Sequence, residues 1–213
     1  MDGILIDSMP LHVRSWKLTA EKYGLQAEED EFYLFEGMRG RDTIAQLYQR
    51  TFNEIAPQDL VDEIYQYKTE LYNNFPDSLQ PIPYTHDVMS LLKEKGIRMA
   101  VVTGGTKINA YPRVSEFYSE YIDESRIITA ESVTKGKPHP QPYLFGMELF
   151  GNSPEETVVI ENAPLGIQSA HAAQALTIAI TTGPIKEYQL REAGADLVFP
   201  NMKALWIWCK ENI

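Results

Sequence analysis

The chain has 213 residues, 44% of them hydrophobic, which is enough for one large domain or for a domain with a small second unit. Its formal net charge of −11 argues against non-specific nucleic-acid binding, because that binding depends on Lys and Arg neutralising phosphates. We expect no membrane partner, since no stretch approaches the roughly 18 apolar residues of a spanning helix and no signal-peptide pattern opens the chain. Cys209 is the single cysteine, which excludes an internal disulfide and fits a cytoplasmic location.

The first third of the chain has a helical hydrophobic period and no convincing strand. The period predicts three amphipathic helices, at about Leu11–Tyr23, Asp42–Phe52 and Leu60–Phe75. Three prolines then predict a stiff linker: Pro76, Pro81 and Pro83. This part of the sequence therefore predicts a small helical bundle.

Beyond the linker, helices alternate with short apolar runs that are typical of buried parallel strands. The predicted strands are Ile97–Thr103, Arg126–Thr129, Thr157–Glu161, Leu176–Ile180 and Asp196–Phe199. The predicted helices are Asp87–Lys95, Ile108–Tyr118, Gln141–Phe150, one from Pro164, Lys186–Ala193 and one from Met202. We expect an α/β fold, a doubly wound parallel sheet formed by residues 1–8 and 80–213, with a helical-bundle cap of residues 9–79 inserted near its start.

Polar residues that end strands indicate where a site would lie, because ligands of such sheets bind at the carboxyl ends of the strands. Thr103-Gly104-Gly105 ends one strand with a hydroxyl and small residues, which lets the hydroxyl and backbone N–H groups approach a phosphoryl oxygen. A plain strand-to-helix turn is an equal alternative. Asp2-Gly3, on its own a turn dipeptide, is followed by three apolar residues and Asp7-Ser8.

Two further motifs lie in the second half of the chain. Lys137, stiffened by Pro138, could offset charge on a transferring phosphoryl group, although a solvated basic loop is the simpler interpretation of its neighbourhood. Glu161 ends a buried strand and Asn162 follows it, so both offer oxygens suited to Mg²⁺. Asn162 could also cap the helix that starts at Pro164.

The predicted cap carries two candidate substrate-binding features. His12 and Trp16 are one helical turn apart at its entrance, where they could pack a hinge or meet a substrate. The loop from Glu36 to Arg41 contains two glycines and two arginines, Arg39 and Arg41, which favours a flexible anion-binding loop. An exposed loop without a ligand is the alternative.

These motifs, in this order and with this topology between them, resemble the haloacid dehalogenase superfamily, in its β-phosphoglucomutase-like branch with a small helical cap. The resemblance implies a Rossmann-like core and a Mg²⁺-dependent phosphatase or phosphomutase that works through an aspartyl-phosphate on a small phosphorylated substrate. It implies that Asp2 is the general acid/base, that Thr103, Lys137 and Gly104 bind the phosphoryl group, and that Asp2, Glu161 and Asn162 hold the metal. His12, Glu36, Arg39 and Arg41 are the expected substrate contacts, and we expect a monomer.

The resemblance also shows departures. The nucleophilic Asp of the family would stand one residue before Met1, at the end of a strand central to the sheet, so we expect the 213 residues alone to be inactive. We favour a sequence that lacks its first strand over a natural, catalytically dead relative that binds a phosphorylated ligand. Glu36 stands where some sugar-phosphate mutases have Lys, and some relatives hydrolyse inorganic pyrophosphate, so an inorganic pyrophosphatase is an alternative function.

Overall fold

The computed structural model describes residues 1–75 and 79–213, so Pro76 of the predicted linker lies outside the described residues. Its helices are α1 Met9–Tyr23, α2 Glu31–Leu34, α3 Gly40–Phe52, α4 Gln58–Asn74, α5 Thr85–Glu94, α6 Lys107–Tyr118, α7 Gln141–Glu148, α8 Pro164–Ala172, α9 Glu187–Glu192 and α10 Met202–Asn212. Its strands are β1 Val101–Val102, β2 Ile127–Ile128, β3 Val158–Glu161, β4 Leu176–Ile180 and β5 Leu197–Phe199. None of the helices within this described part is long and apolar enough to cross a membrane.

The strands are all parallel, as predicted, but they form two separate sheets. β1 pairs with β2, and β3, β4 and β5 pair in that order. The predicted strand Ile97–Thr103 is shortened to two residues, because β1 has a partner on one side only and no described residue forms a strand between β1 and β3. A strand that pairs on one edge only has half of the interstrand hydrogen bonds that would keep its backbone extended.

Helices cover the three-stranded sheet on both faces. Along β4, Ile178 and Ile180 pack with α5 and α10, whereas Ala179 between them packs with Ile167 of α8 and Leu190 of α9. This alternation follows from the two-residue period of a strand, which points successive side chains to opposite faces. The fold is therefore α/β and doubly wound.

Helices α1 to α4 form a bundle around a hydrophobic cluster of their own. Met9 and Val13 of α1 pack with Ile44 and Leu47 of α3 and with Ile64 of α4. Gly24 ends α1 in the left-handed region, at φ 64°. The bundle has one helix more than predicted, α2, whose four residues are too few to show a helical period. This bundle is called the cap below, and the boundary at residue 79 stays a prediction.

Candidate active site

The first residues of the chain bring Asp2 to the ends of two strands. Gly3 makes the turn after it, at φ +68°, and the Gly3 carbonyl accepts a hydrogen bond from Thr182 Oγ1 at 2.8 Å. Asp2 then lines one pocket together with Thr103, which follows β1, and Glu161, which ends β3. The predicted strand-end residues therefore meet, as the parallel topology requires.

Asp2 is held as an ionised acceptor. Ser8 Oγ donates to Asp2 Oδ1 at 2.5 Å, and His12 Nε2 lies 3.4 Å from the same oxygen. Burial favours the neutral carboxyl, but the hydrogen bonds and charges around it, those of His12 first, hold the pKa of Asp2 well below its usual range. In this arrangement the carboxylate can take a proton from a hydroxyl or a water molecule.

A buried lysine of the cap orients His12. Lys68 Nζ lies 2.8 Å from His12 Nδ1, and burial lowers the pKa of Lys68 to about 7. Burial, followed by the charge of Lys68, lowers the pKa of His12 to about 4, so the imidazole is neutral at pH 7. Because Nδ1 accepts from the Lys68 ammonium, the ring proton is on Nε2 and faces Asp2.

Aromatic rings enclose this pair. Tyr72 stacks on His12 with 4.2 Å between ring centroids, and Lys68 Nζ lies 4.9 Å from the Tyr72 ring and 5.2 Å from that of Trp16. The faces of aromatic rings stabilise a buried ammonium group. His12 and Trp16 thus belong to one cluster, which packs at the cap entrance and also borders the pocket.

Glu161 and Lys137 form a buried ion pair on the other side of the pocket. Glu161 Oε1 accepts from Lys137 Nζ at 2.6 Å and from the Tyr143 hydroxyl at 2.5 Å, while its Oε2 accepts from the Asn162 N–H at 3.0 Å. Burial would raise the pKa of Glu161, but the Lys137 ammonium and its hydrogen bond lower it to about 2. Lys137 also donates to the Val102 carbonyl at 3.2 Å.

The cap loop adds a third carboxyl group to the pocket. Asn162 Nδ2 donates to Glu36 Oε2 at 3.0 Å. Burial and the negative charges of Glu161 and Asp2 raise the pKa of Glu36 well above its ordinary value. The carboxyl group of Glu36 is therefore driven towards its neutral form by burial and by the two carboxylates near it.

The chemistry of these donors fits Mg²⁺, which prefers carboxylate and amide oxygens. Asp2, Glu161, Asn162 and Glu36 all present such groups to the same region, and a bound cation would relieve the repulsion among the three carboxyl groups. Among residues 1–75 and 79–213, however, no three His, Cys, Asp or Glu side chains form a cluster with the geometry of a metal site. Lys137 and Tyr143 occupy one oxygen of Glu161 instead.

The loop after β1 brings a hydroxyl group and small residues to the pocket. Thr103 is buried, and its Oγ1 accepts from the Gly105 N–H at 3.1 Å, which leaves its own proton free to donate. A Cβ on Gly104 would lie 2.5 Å from the carbonyl oxygen of Gly37, so the cap loop is pressed against this turn. Only glycine permits that approach, and the cap is closed over the pocket.

The two arginines of the cap loop lie away from the pocket lining. The Arg39 guanidinium donates to Asp42 at 2.6 Å and to the Thr134 carbonyl at 2.8 Å. Arg41 Nε donates to Asp62 at 2.5 Å on the exposed side of the cap. Arg39 therefore ties the cap loop to the core, and both guanidinium groups already have carboxylate partners.

Residues 1–180 match the family model of the haloacid dehalogenase-like hydrolases. The chain belongs to this family. A solved structure from Bacteroides vulgatus, provisionally named a β-phosphoglucomutase, superposes with a TM-score of 0.93 at 35% identity and covers 99% of this chain and 86% of that one. Hexitol phosphatase A of Escherichia coli is 29% identical over 100% of this chain and 93% of its own length. Fructose-1-phosphate phosphatase of Escherichia coli is 30% identical over 81% of this chain and 89% of its own length.

The family resemblance inferred from the motifs is thus confirmed, and so is the fold. Family members of this kind are phosphatases or phosphomutases that act on small phosphorylated compounds. The structure adds two residues that sequence reasoning missed, Lys68 and Tyr143. Each touches a residue that had been singled out, His12 and Glu161 respectively.

Proposed function

We propose that this haloacid dehalogenase-like hydrolase is a Mg²⁺-dependent phosphatase or phosphomutase of a small phosphorylated metabolite and works through an aspartyl-phosphate. The observation that carries the proposal is the meeting of Asp2, Thr103, Lys137 and Glu161 in one pocket beneath a closed cap. Hydrolysis of a phosphate ester needs mainly positioning and charge stabilisation, which is what these residue types supply. We extend the proposal to a cytoplasmic monomer.

Each residue has a definite part in this reaction. Asp2, oriented by Ser8 and by the Nε2 proton of His12, exchanges a proton with the leaving oxygen and then with the attacking water or hydroxyl. The Thr103 hydroxyl and the N–H groups around Gly104 bind phosphoryl oxygens, and Lys137 offsets their charge. Asp2, Glu161 and Asn162 are the residues that would hold Mg²⁺, which when bound neutralises charge on the phosphoryl group.

The closed pocket suggests a small substrate. Its volume is about 90 Å³ and the cap loop packs against the turn at Gly104, so a phosphoryl group with a short leaving group fits best. The relatives hexitol phosphatase A and fructose-1-phosphate phosphatase point to a polyol or sugar phosphate. We retain His12, Glu36, Arg39 and Arg41 as the proposed substrate contacts of the cap, the arginines acting after they leave their present carboxylate partners.

Glu36 favours a second candidate, inorganic pyrophosphate. A carboxyl group that faces Glu161 and Asn162 is suited to share a cation that a highly charged substrate brings with it. To a neutral sugar ring, the carboxyl group of Glu36 could offer only hydrogen bonds, and the amide of Gln would offer these equally well. Comparing Glu36→Gln with the parent, both in a protein that carries the nucleophilic Asp before Met1, on pyrophosphate and on a hexitol phosphate separates the two candidates. Only pyrophosphate turnover should depend on the charge.

The family places its nucleophile before Met1, so we propose that the 213 residues alone bind phosphate but do not turn it over, as would a non-catalytic relative. The test compares the 213-residue chain with the same chain carrying an added apolar strand that ends in Asp directly before Met1. A version ending in Asn is the matched control. Mg²⁺-dependent release of phosphate should appear with Asp alone, and equal activity in all three would disprove the aspartyl-phosphate route.

A further inference from the structure

An arginine of the α/β core contacts an aromatic ring of the cap. The Arg113 guanidinium lies 4.4 Å from the centre of the Tyr72 ring. Arg113 belongs to α6, the helix that follows the loop of Thr103, whereas Tyr72 lies in the last turn of α4. Within residues 1–75 and 79–213 the guanidinium makes no hydrogen bond or ion pair, so the Tyr72 ring is the group that holds it.

The same Tyr72 ring contacts His12, which faces Asp2. Tyr72 stacks on His12 with 4.2 Å between ring centroids, and His12 Nε2 lies 3.4 Å from Asp2 Oδ1. Arg113 and Asp2 belong to the core, whereas Tyr72 and His12 belong to the cap. A row of contacts therefore starts at a core helix, passes through two rings of the cap and ends at a core carboxylate.

Both cap rings lie where the chain crosses between the core and the cap. His12 is in the first turn of α1, and Tyr72 is in the last turn of α4. A rotation of the cap about these crossings moves both rings, and the contact with Arg113 opposes that rotation. Helix α6 can resist it, because Val114 and Tyr118 fix the helix in a buried cluster of the core.

Repulsion between cations makes the position of Arg113 unfavourable without the ring. Burial is the main cause of the lowered pKa of Lys68, and the positive charge of Arg113 adds to it. Lys68 Nζ lies 4.9 Å from the centre of the Tyr72 ring, so both cations lie against the same ring. The electron-rich face of a tyrosine attracts cations, and this attraction offsets their repulsion.

Tyr72 contributes its ring rather than its hydroxyl group. The hydroxyl is buried and has no hydrogen-bond partner in the described part of the chain. Tyr72 and Arg113 are also absent from the lining of the active-site pocket, as far as the described residues form it. Their contact can therefore act on the reaction only through His12.

We propose that Arg113 is a positioning residue: through the Tyr72 ring it holds His12 in place when the cap is closed. His12 in turn orients Asp2, so this inference deepens the proposed function and rests on it for the role of Asp2. A displacement of about 1 Å is costly for a reacting group, because proton transfer depends on distance and direction. Loss of the Arg113 cation should thus slow turnover without weakening the binding of substrate.

The first test needs no turnover and uses the 213-residue chain. The ring protons of His12 should be shifted upfield in NMR spectra by the stacked Tyr72 ring, and Tyr72→Leu gives the zero point. Arg113→Gln should lose about half of this shift or more, whereas Arg113→Lys keeps a cation and should lose little of it. Lys210→Gln, which removes a cation 4.6 Å from the Trp206 ring, is the matched control. An unchanged His12 shift in Arg113→Gln overturns the proposal.

The fold of each variant is checked by circular dichroism. Arg113 is only half-buried, so we expect Arg113→Gln to fold. If it does not, Arg113→Met takes its place, because Met keeps an apolar stem without the charge. Tyr72→Phe loses only the unpaired hydroxyl group and should keep the His12 shift, and loss of the shift in this variant would show that the hydroxyl and not the ring holds His12, against the proposal.

Turnover is measured in the chain that carries the added strand ending in Asp. Arg113→Gln should lower kcat about tenfold with KM changed less than about threefold, and Arg113→Lys should restore most of the loss. In a Tyr72→Leu background, Arg113→Gln should change kcat less than about twofold, because its only route to His12 is gone. A tenfold loss in that background too, or a rise of KM alone, would show that Arg113 acts elsewhere and would overturn the proposal.

The two tests separate this inference from the proposed function. If the His12 shift falls in Arg113→Gln but no protein releases phosphate, the parent included, the positioning is supported and the proposed function is wrong. If the parent releases phosphate and Arg113→Gln matches it in kcat, the proposed function stands and the positioning role of Arg113 is wrong.

Discussion

Replacing Lys68 by Met should make the protein more stable at neutral pH. Lys68 is 6% exposed, and burial lowers its pKa from 10.5 to about 7, a change of about 3.5 units. At about 1.36 kcal/mol per unit, keeping the charged form buried costs about 5 kcal/mol below pH 7. Met keeps the contacts with Trp16 and Tyr72 but loses the hydrogen bond to His12, which contributes about 1.5–3 kcal/mol. The free energy of unfolding should rise by about 2–3 kcal/mol.

The pH dependence of this gain has a definite sign. The pKa of Lys68 is lower in the folded than in the unfolded state, so between pH 7 and 10.5 the unfolded chain holds a proton that the folded chain has released. The parent protein therefore gains stability relative to Lys68→Met as the pH rises through this window. The advantage of the variant should be full below pH 7 and should vanish at about pH 9, above which the parent becomes the more stable protein because it keeps the hydrogen bond to His12.

Urea unfolding followed by tryptophan fluorescence at pH 6.5, 8 and 9.5 measures both effects. The control is Lys22→Met, which removes an exposed lysine of the same bundle and should change stability by less than about 1 kcal/mol at every pH. The reasoning is refuted if Lys68→Met is the less stable protein at pH 6.5, or if its difference from the parent does not vary with pH. In a catalytically complete protein the same substitution should lower turnover about tenfold or more, because His12 loses the contact that orients its proton.

Three further substitutions test other parts of the site. Tyr143→Phe removes a donor to the buried Glu161 carboxylate and should lower the free energy of unfolding by about 1–3 kcal/mol at pH 7, and urea curves that coincide with the parent would contradict this. Gly104→Ala places a Cβ 2.5 Å from the Gly37 carbonyl oxygen and should lift the cap, seen as a larger radius of gyration in X-ray scattering. Gly96→Ala is its control, because its Cβ meets nothing within 4 Å and its φ of +69° strains only a turn outside the cap. The prediction fails if the two variants scatter alike. The pKa of Glu161 is about 2 in the fold against an ordinary 4.5, so its contribution of about 3 kcal/mol is present above pH 4.5 and is lost as the pH falls through 2. The free energy of unfolding of Glu161→Gln should therefore lack this decrease between pH 5 and 2. If the free energies of the variant and the parent fall equally steeply with pH, the prediction is wrong.

The order of helices and strands could be predicted because each element has a local pattern. The strand Leu176–Ile180 agrees to the residue, and α1 ends at Gly24 as its glycine indicates. The extent of β1 could not be predicted, since the apolar run Ile97–Thr103 has the composition of a strand but its pairing depends on residues elsewhere in the chain. Strand length is a property of the sheet, whereas the presence of a strand is a property of the sequence.

The candidate site shows the same division between local and distant information. The positions of Thr103, Lys137, Glu161 and Asn162 near the pocket could be predicted because these residues end or follow strands or lie in a stiff loop, whereas their roles stay predictions. Lys68 did leave a signal that was not used, because it continues the buried stripe Val61, Ile64, Lys68, Tyr72 at helical spacing. A lysine at a core position of an amphipathic helix indicates a buried partner. Tyr143 left no such signal in the sequence, since a tyrosine on the buried face of a helix is common. Only the fold brings its hydroxyl group to Glu161.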